Sequence, residues 1–252
     1  IIAGGGHAGI EAALAISRMG GSCAIVTMDK RALGRLSCNP AVGGLGKSHL
    51  VKEIDALGGV MGYCSDSSGI QFKMLNKTKG RAVWAIRVQV DKKKYPKIIS
   101  RVLKQHKKIS IVEGEVVEIK TKGKQVVSVV LRAGDEISCS SIIVTCGTFL
   151  SGLIHIGERS FPAGRMGEKP SVGLTESLKS LGHCMGRLKT GTPPRLDRKS
   201  IKLESVTSLA VSFACDEILH SFSVFLLLSS IYQGALLLSI FFIIINAGLK
   251  PQ

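Results

Sequence analysis

Ile1-Ile2-Ala3 runs directly into Gly4-Gly5-Gly6-His7-Ala8-Gly9, and Ala12, Ala13, Leu14, Ala15 and Ile16 continue an apolar helical pattern to Gly20. A second apolar run, 22–27, follows at once. Strand, glycine turn, helix and strand in that order form the opening βαβ unit of a dinucleotide fold, because parallel neighbours need a crossover helix between them. Gly4-x-Gly6-x-x-Gly9 suits such a unit: its glycines allow a tight turn and bring a pyrophosphate close to the helix N-terminus, whose N–H groups and dipole favour an anion. The spacing alone is a weak signal, and the flanking elements make it specific. Asp29, about twenty residues past Gly9, is placed either to take a ribose hydroxyl or to serve as an acid in a surface turn.

The chain beyond continues an α/β pattern. Between Lys92 and Lys107, Tyr95, Ile98, Ile99, Val102 and Leu103 fall on one stripe, which predicts an amphipathic helix with Pro96 in its first turn. Short apolar runs at 109–112, 116–119 and 126–131, divided by Glu113-Gly114 and Lys122-Gly123-Lys124, read as strands joined by turns. Ser141 to Thr145, ahead of Cys146-Gly147-Thr148, reads as a buried strand returning to the glycine loop. Leu174, Leu178 and Leu181 mark a further helix that Ser171 would cap and Gly182 would end.

The net charge of +16 is uneven: residues 201–252 hold two lysines against three acids, so the first 200 residues carry +17. Such an excess suits a polyanionic partner or a lysine-rich solvated surface equally. Lys47, Lys52, Arg87 and Lys92 to Lys94 are candidate contacts on charge alone. The seven cysteines form no Cys-x-x-Cys pair, so no metal site is expected, and they read as reduced thiols. Cys23, Cys139 and Cys146 lie in or beside apolar strands and suit a core. Trp84 and Tyr95 are too isolated for a base-stacking platform and suit packing.

Cys38 stands apart. It lies in Ser37-Cys38-Asn39-Pro40-Ala41-Val42-Gly43-Gly44-Leu45-Gly46-Lys47, where Asn39-Pro40 favours a turn, the glycines admit a close ligand, and Lys47 with a following helix start would lower a thiol pKa. A packed, inert thiol would occupy the same position. Gly46-Lys47-Ser48 is not a phosphate loop, since Ala41 stands where that loop requires glycine.

Together these segments resemble the MnmG (GidA) family of flavin-dependent tRNA wobble-uridine modifying enzymes, including its mitochondrial members, from about Ile1 to Leu203. The carrying blocks are 4–9, 37–47, His49 through Gly59, Gly69-Ile70-Gln71-Phe72, Gly147-Thr148-Phe149-Leu150, Ala163-Gly164-Arg165 and Leu188 through Arg195. The resemblance implies a Rossmann-like FAD-binding domain with an inserted β-rich second subdomain. FAD would be held by Gly4, Gly5, Gly6, His7, Ala8 and Gly9, with Val116 near the adenine and Ser171 close to the cofactor. It also implies NADH as reductant, a folate one-carbon donor, tRNA as substrate, an MnmE-type GTPase partner, and a homodimer in the full-length family. The reaction modifies C5 of the wobble uridine with a carboxymethylaminomethyl or taurinomethyl group. Cys38 is the candidate catalytic nucleophile, a thiolate whose addition to C6 of uracil would make C5 nucleophilic. Arg35 and Arg81 depart from the family, which usually has glutamine and proline there, and Val88 is bulkier than usual.

Family members continue far beyond this length, so the chain reads as an N-terminal fragment: 1–203 as FAD-binding region, 204–252 as a hydrophobic tail without a family counterpart. No Asp, Glu, Lys or Arg occurs from Ile218 to Leu249. A transmembrane helix needs about 20 apolar residues, so the tail reads as a non-native terminus, a membrane anchor or a buried helix pair. The alternatives to tRNA modification are an FAD oxidoreductase of a small molecule and a non-catalytic, membrane-tethered product. The block at 162–195 points to a mitochondrion, with bacterial cytoplasm as the alternative.

Overall fold

The computed structural model describes residues 1–36, 39–189, 197–200 and 243–246. β1 (Ile2–Ala3), α1 (His7–Arg18) and β2 (Cys23–Thr27) form the expected opening unit. β3 (Ala41–Gly43), α2 (Ser48–Ala56), α3 (Met61–Ser68), β4 (Gly69–Leu75), β5 (Ala85–Val90) and α4 (Lys94–Gln105) come before β6 (Ile109–Glu113). β7 (Val116–Lys122), β8 (Gln125–Leu131) and β9 (Glu136–Ser138) form an antiparallel meander leading to β10 (Ser141–Val144). The hairpin of β11 (Leu153–Ile156) and β12 (Arg159–Pro162), then α5 (Leu174–Ser180) and β13 (Ile243–Asn246), follow.

The main sheet runs β13-β10-β1-β2-β6, with β10, β1, β2 and β6 parallel and β13 antiparallel at the edge. Ile2 pairs with both Ile143 and Ile25, so β1 is central and its short run is wholly buried. Successive side chains of a strand point to opposite faces. Ile2 and Ile25 accordingly enter a core with α1, α3 and α4, whereas Ala3 and Val26 enter a second core with the meander and α5. The sheet is thus covered on both faces, as parallel sheets require.

α4 carries the stripe read from the sequence: Tyr95, Ile98, Ile99 and Leu103 are buried, and Pro96 sits in the first turn. Asp91 caps this helix, its Oδ1 accepting from the Lys93 and Lys94 amides at 2.7 and 2.8 Å. Gly123, at φ +62°, turns β7 into β8. Gly182, at φ +89°, follows the end of α5 as expected, but the start of that helix differs. Its N-cap is Gly173 at φ +110°, not Ser171, and no side chain caps it. A Cβ on Gly173 would lie 3.1 Å from that of Val117, so close packing against β7 sets this turn.

Of the apolar stretch 218–249, residues 243–246 are described, and these four form strand rather than helix. Among the described residues no helix is long and apolar enough to cross a membrane. Two features have no counterpart in the sequence reading: the antiparallel sheet β3-β5-β4, and α3, which pairs with α2 beside it.

Candidate dinucleotide site

The glycine loop is pinned from three sides. Gly4 N donates to Val26 O at 2.9 Å, Gly34 N to Gly5 O at 3.1 Å, and Thr145 Oγ1 to the carbonyls of Ala3 and Gly4, each at 3.1 Å. These contacts explain two of the glycines. Gly4 adopts φ +121°, and a Cβ there would meet the Thr145 backbone, while a Cβ on Gly9 would run into the Gly4 carbonyl oxygen. Gly6 is different: it has an ordinary φ of −76°, is exposed, and has nothing within 4 Å of where a Cβ would stand. Protein packing therefore does not demand glycine at position 6. What a Cβ there would fill is the space before the first turn of α1, which has no side-chain cap and no acidic residue. An uncapped helix start with open space in front of it fits a pyrophosphate.

His7 turns its ring away from that space, against the fully buried Tyr95, with ring centroids 5.6 Å apart. Burial lowers its pKa to about 4, so the imidazole is neutral near pH 7. Neither His7 Nε2 nor the Tyr95 hydroxyl, both buried, has a hydrogen-bond partner among the described residues. At position 7, as at Ala8, the main chain is what an anion before the helix would meet.

Val116 and Ser171 come to the same edge of the sheet by separate routes. Gly114 N donates to Thr27 O at 2.9 Å, which brings the β6–β7 turn to the end of β2. Val116 itself is buried in the second core, so its side chain is a packing group. Ser171 N donates to Phe149 O at 2.8 Å, tying it to the segment after β10, and its hydroxyl bonds the Glu115 carboxylate. Glu115 also accepts from Arg132, at 2.5 and 2.9 Å, and from Val172 N at 2.8 Å. Burial alone would raise that carboxyl, but these hydrogen bonds and the Arg132 charge outweigh it and hold the pKa low.

Ser37 and Cys38 lie outside the described residues. Their flanks are anchored: Leu36 is buried, and Pro40 O accepts from Val90 N at 2.7 Å. Gly43, Gly44 and Gly46 have φ of +81°, +104° and +67°, which explains the glycines there, and α2 starts at Ser48 as read. Cys23, Cys64, Cys139 and Cys146 behave as packing groups, whereas Cys184 is exposed. Burial, then the Glu115 charge, pushes Cys146 up to about 12; burial, then Glu11, pushes Cys64 up to about 11. Burial also raises Cys23 and Cys139.

Asp29 favours the turn reading over the ribose reading. Its Oδ1 accepts from Arg31 N at 2.8 Å and its Oδ2 from Arg35 at 3.1 Å, so both oxygens are engaged. Arg35 also reaches Glu168 at 2.8 Å, a bridge made by a residue that departs from the family pattern. Lys52 and Lys92 to Lys94 are exposed, and Lys47 is half-buried. Arg87 is not the surface charge read from the sequence: it is 8% exposed, and burial lowers its pKa. It shares β5 with Gln89, 7% exposed, whose two amide atoms have no hydrogen-bond partner among the described residues. Leaving a buried amide group unpaired costs about 1–3 kcal/mol. Alternation along 85–90 places Arg87 and Gln89 on one face of a strand but reads that face as solvated, so it carries no sign of their burial. Thr145, whose hydroxyl pins the loop, carries no motif signal either.

A parallel sheet clad on both faces, with a glycine loop leading into an uncapped helix at its edge, defines a dinucleotide-binding α/β fold. Comparison with known proteins narrows this. The family model described as "Glucose inhibited division protein A" matches residues 1–216, and the chain belongs to that family. The tRNA uridine 5-carboxymethylaminomethyl modification enzyme MnmG of Granulibacter bethesdensis is 50% identical over 209 residues, 82% of this chain and 33% of that protein. Its namesake from Chlorobaculum tepidum is 48% identical over 208 residues, 82% of this chain and 34% of that protein. Among solved structures, Aquifex aeolicus GidA superposes with a TM-score of 0.75 at 47% identity, covering 81% of this chain and 34% of that one. The chain thus spans about a third of the length of these relatives.

Proposed function

We propose that this chain forms the FAD-binding region, residues 1–203, of an enzyme that modifies tRNA at C5 of the wobble uridine. The observation that carries the reading is Gly6: among the glycines of the loop it has neither a strained φ nor a neighbour to explain it, and it opens onto an uncapped helix start. The Gly4 to Gly9 main chain would hold the pyrophosphate. The main chain at Val116 lies at the edge where the adenine end would rest, with Ser171 and Glu115 bracing that edge. FAD supplies a redox couple when bound. The 50% identity to enzymes named for tRNA uridine modification supports the substrate, and the basic first 200 residues suit a polyanion.

Cys38 is the proposed nucleophile. Its thiolate adds to C6 of uracil, forming a C–S bond and moving the C5–C6 electron pair into a C4 enolate. C5 then attacks an electrophilic methylene derived from a folate donor. Loss of the C5 proton lets the ring expel the folate nitrogen and leave an exocyclic methylene; a primary amine adds there, and expulsion of the thiolate restores the ring. NADH as reductant, an MnmE-type GTPase, a homodimer, and the choice between carboxymethylaminomethyl and taurinomethyl products belong to the same proposal.

Two glycine substitutions test the cofactor assignment in this chain. Gly6→Ala is expected to leave thermal stability unchanged while weakening FAD binding at least tenfold, read by flavin fluorescence. Gly9→Ala is expected to lower stability by about 1–3 kcal/mol, because its Cβ overpacks the loop. A purified chain that takes up no FAD, or a Gly6→Ala variant with undiminished affinity, defeats the reading.

A further inference from the structure

The sheet β3-β5-β4 has two unlike faces. β5 alternates Ala85, Arg87 and Gln89 on one side with Ile86, Val88 and Val90 on the other. Val88 and Val90 belong to the core beneath α1, α3 and α4, with Ile86 packed against it. Residues paired directly across strands share a face. Ala41, Gln89 and Gln71 therefore form one row on the opposite face, and Gly43, Arg87 and Lys73 the next. On the β3 side each row ends in a residue with little or no side chain. On the β4 side Gln71 and Lys73 are half-buried, less covered than Arg87 and Gln89 on β5. The Arg87 guanidinium reaches the Gly44 turn, where a Cβ would stand 3.7 Å from Nη1.

Gln89 is the unexplained member. It is more than nine-tenths buried, and both its amide nitrogen and its amide oxygen are unpartnered among the described residues. Buried carboxamides are normally paired, because the desolvated donor and acceptor have no water to return to. A planar carboxamide with both functions unused matches a ring edge bearing N–H and C=O side by side. Adenine offers a donor beside an acceptor too, but it has no carbonyl oxygen. The cations two positions away, Arg87 and Lys73, favour a ring rich in carbonyl oxygen and able to carry negative charge.

From this geometry we propose that Gln89 reads the imide edge of a pyrimidine-2,4-dione, laid over Ala41 and Gly43 with Arg87 beside a ring carbonyl. Such a ring occurs in uracil and in the isoalloxazine of a flavin. The inference rests on the proposed flavin and uridine chemistry for its two candidate sources.

The test uses the full chain with uridine 5′-monophosphate, lumiflavin, their N3-methyl derivatives, and adenosine 5′-monophosphate. The wild type is expected to bind at least one dione tenfold or more tightly than its N3-methyl form, since methylation removes the N–H that the Gln89 oxygen accepts. Gln89→Leu is expected to abolish that ratio; Gln89→Met, closer in length, provides the same deletion with less disturbance of packing, and circular dichroism reports folding. Discrimination in the uridine pair assigns the site to the base, and discrimination in the lumiflavin pair assigns it to the flavin. The proposal is overturned if the wild type discriminates neither pair, if both variants keep the ratio, or if adenosine 5′-monophosphate binds as tightly with the same dependence on Gln89. Separate FAD titration keeps the two readings apart: FAD uptake without a Gln89-dependent ratio defeats this one alone, and the ratio without FAD uptake defeats only the flavoprotein reading.

Discussion

At position 7 a single side chain couples α1 to the core. The imidazole packs on Tyr95 and is neutral because burial disfavours its charged form. An unfolded chain takes up this proton near pH 6.5, whereas the folded ring resists until about pH 4. Stability from this group is therefore complete above pH 6.5 and is lost as pH falls toward 4, by up to about 3 kcal/mol. Urea denaturation at pH 7 and pH 4.5 is expected to show that loss, and His7→Gln is expected to flatten it. Equal pH dependence in both proteins would remove His7 as the source. The sequence marked His7 by its place in the glycine loop, yet said nothing of where its ring points. Gln89 and Arg87 were hidden for a related reason: their burial depends on strands β3 and β4, many residues away.

Among the secondary-structure elements, α1 and α4 were legible because their apolar spacing is local and their faces are wide. α3 was not. It has no capping side chain of its own, and its first amides are served from α1: the Glu11 carboxylate accepts from Val60 N at 3.0 Å and Met61 N at 2.7 Å. Burial raises the Glu11 pKa, against the opposing pull of those hydrogen bonds. Glu11→Ala would strand both amides and is expected to cost about 1–3 kcal/mol in chemical denaturation. A loss no larger than an exposed Glu→Ala change produces would show that water replaces the carboxylate. Nearly fifty residues separate this cap from its helix, so no capping pattern could reveal it. Ser171 shows the converse: it looked like a local cap, but tertiary contacts drew its hydroxyl to Glu115 and left Gly173 at the helix start.

Over the whole molecule, the charge is a long-range property that composition alone supplies. With +17 in the first 200 residues, and with Lys97, Arg101 and Lys104 exposed along α4, the proposed tRNA binding is expected to weaken linearly on a log–log plot against salt. Reversing those three charges to Glu should flatten the slope by about one for each phosphate contact removed. An unchanged slope in filter binding would place the polyanion on another face. The sequence by itself determined the opening βαβ unit, the amphipathic α4, the meander strands and the family, because short-range sterics and repeated spacing are written residue by residue. Only the tertiary structure decided that the glycine loop, the β6–β7 turn and Ser171 share one edge, that Arg87 is buried, and that Glu11 caps a distant helix. Those outcomes depend on which apolar faces pack together, and no spacing along the chain records that choice.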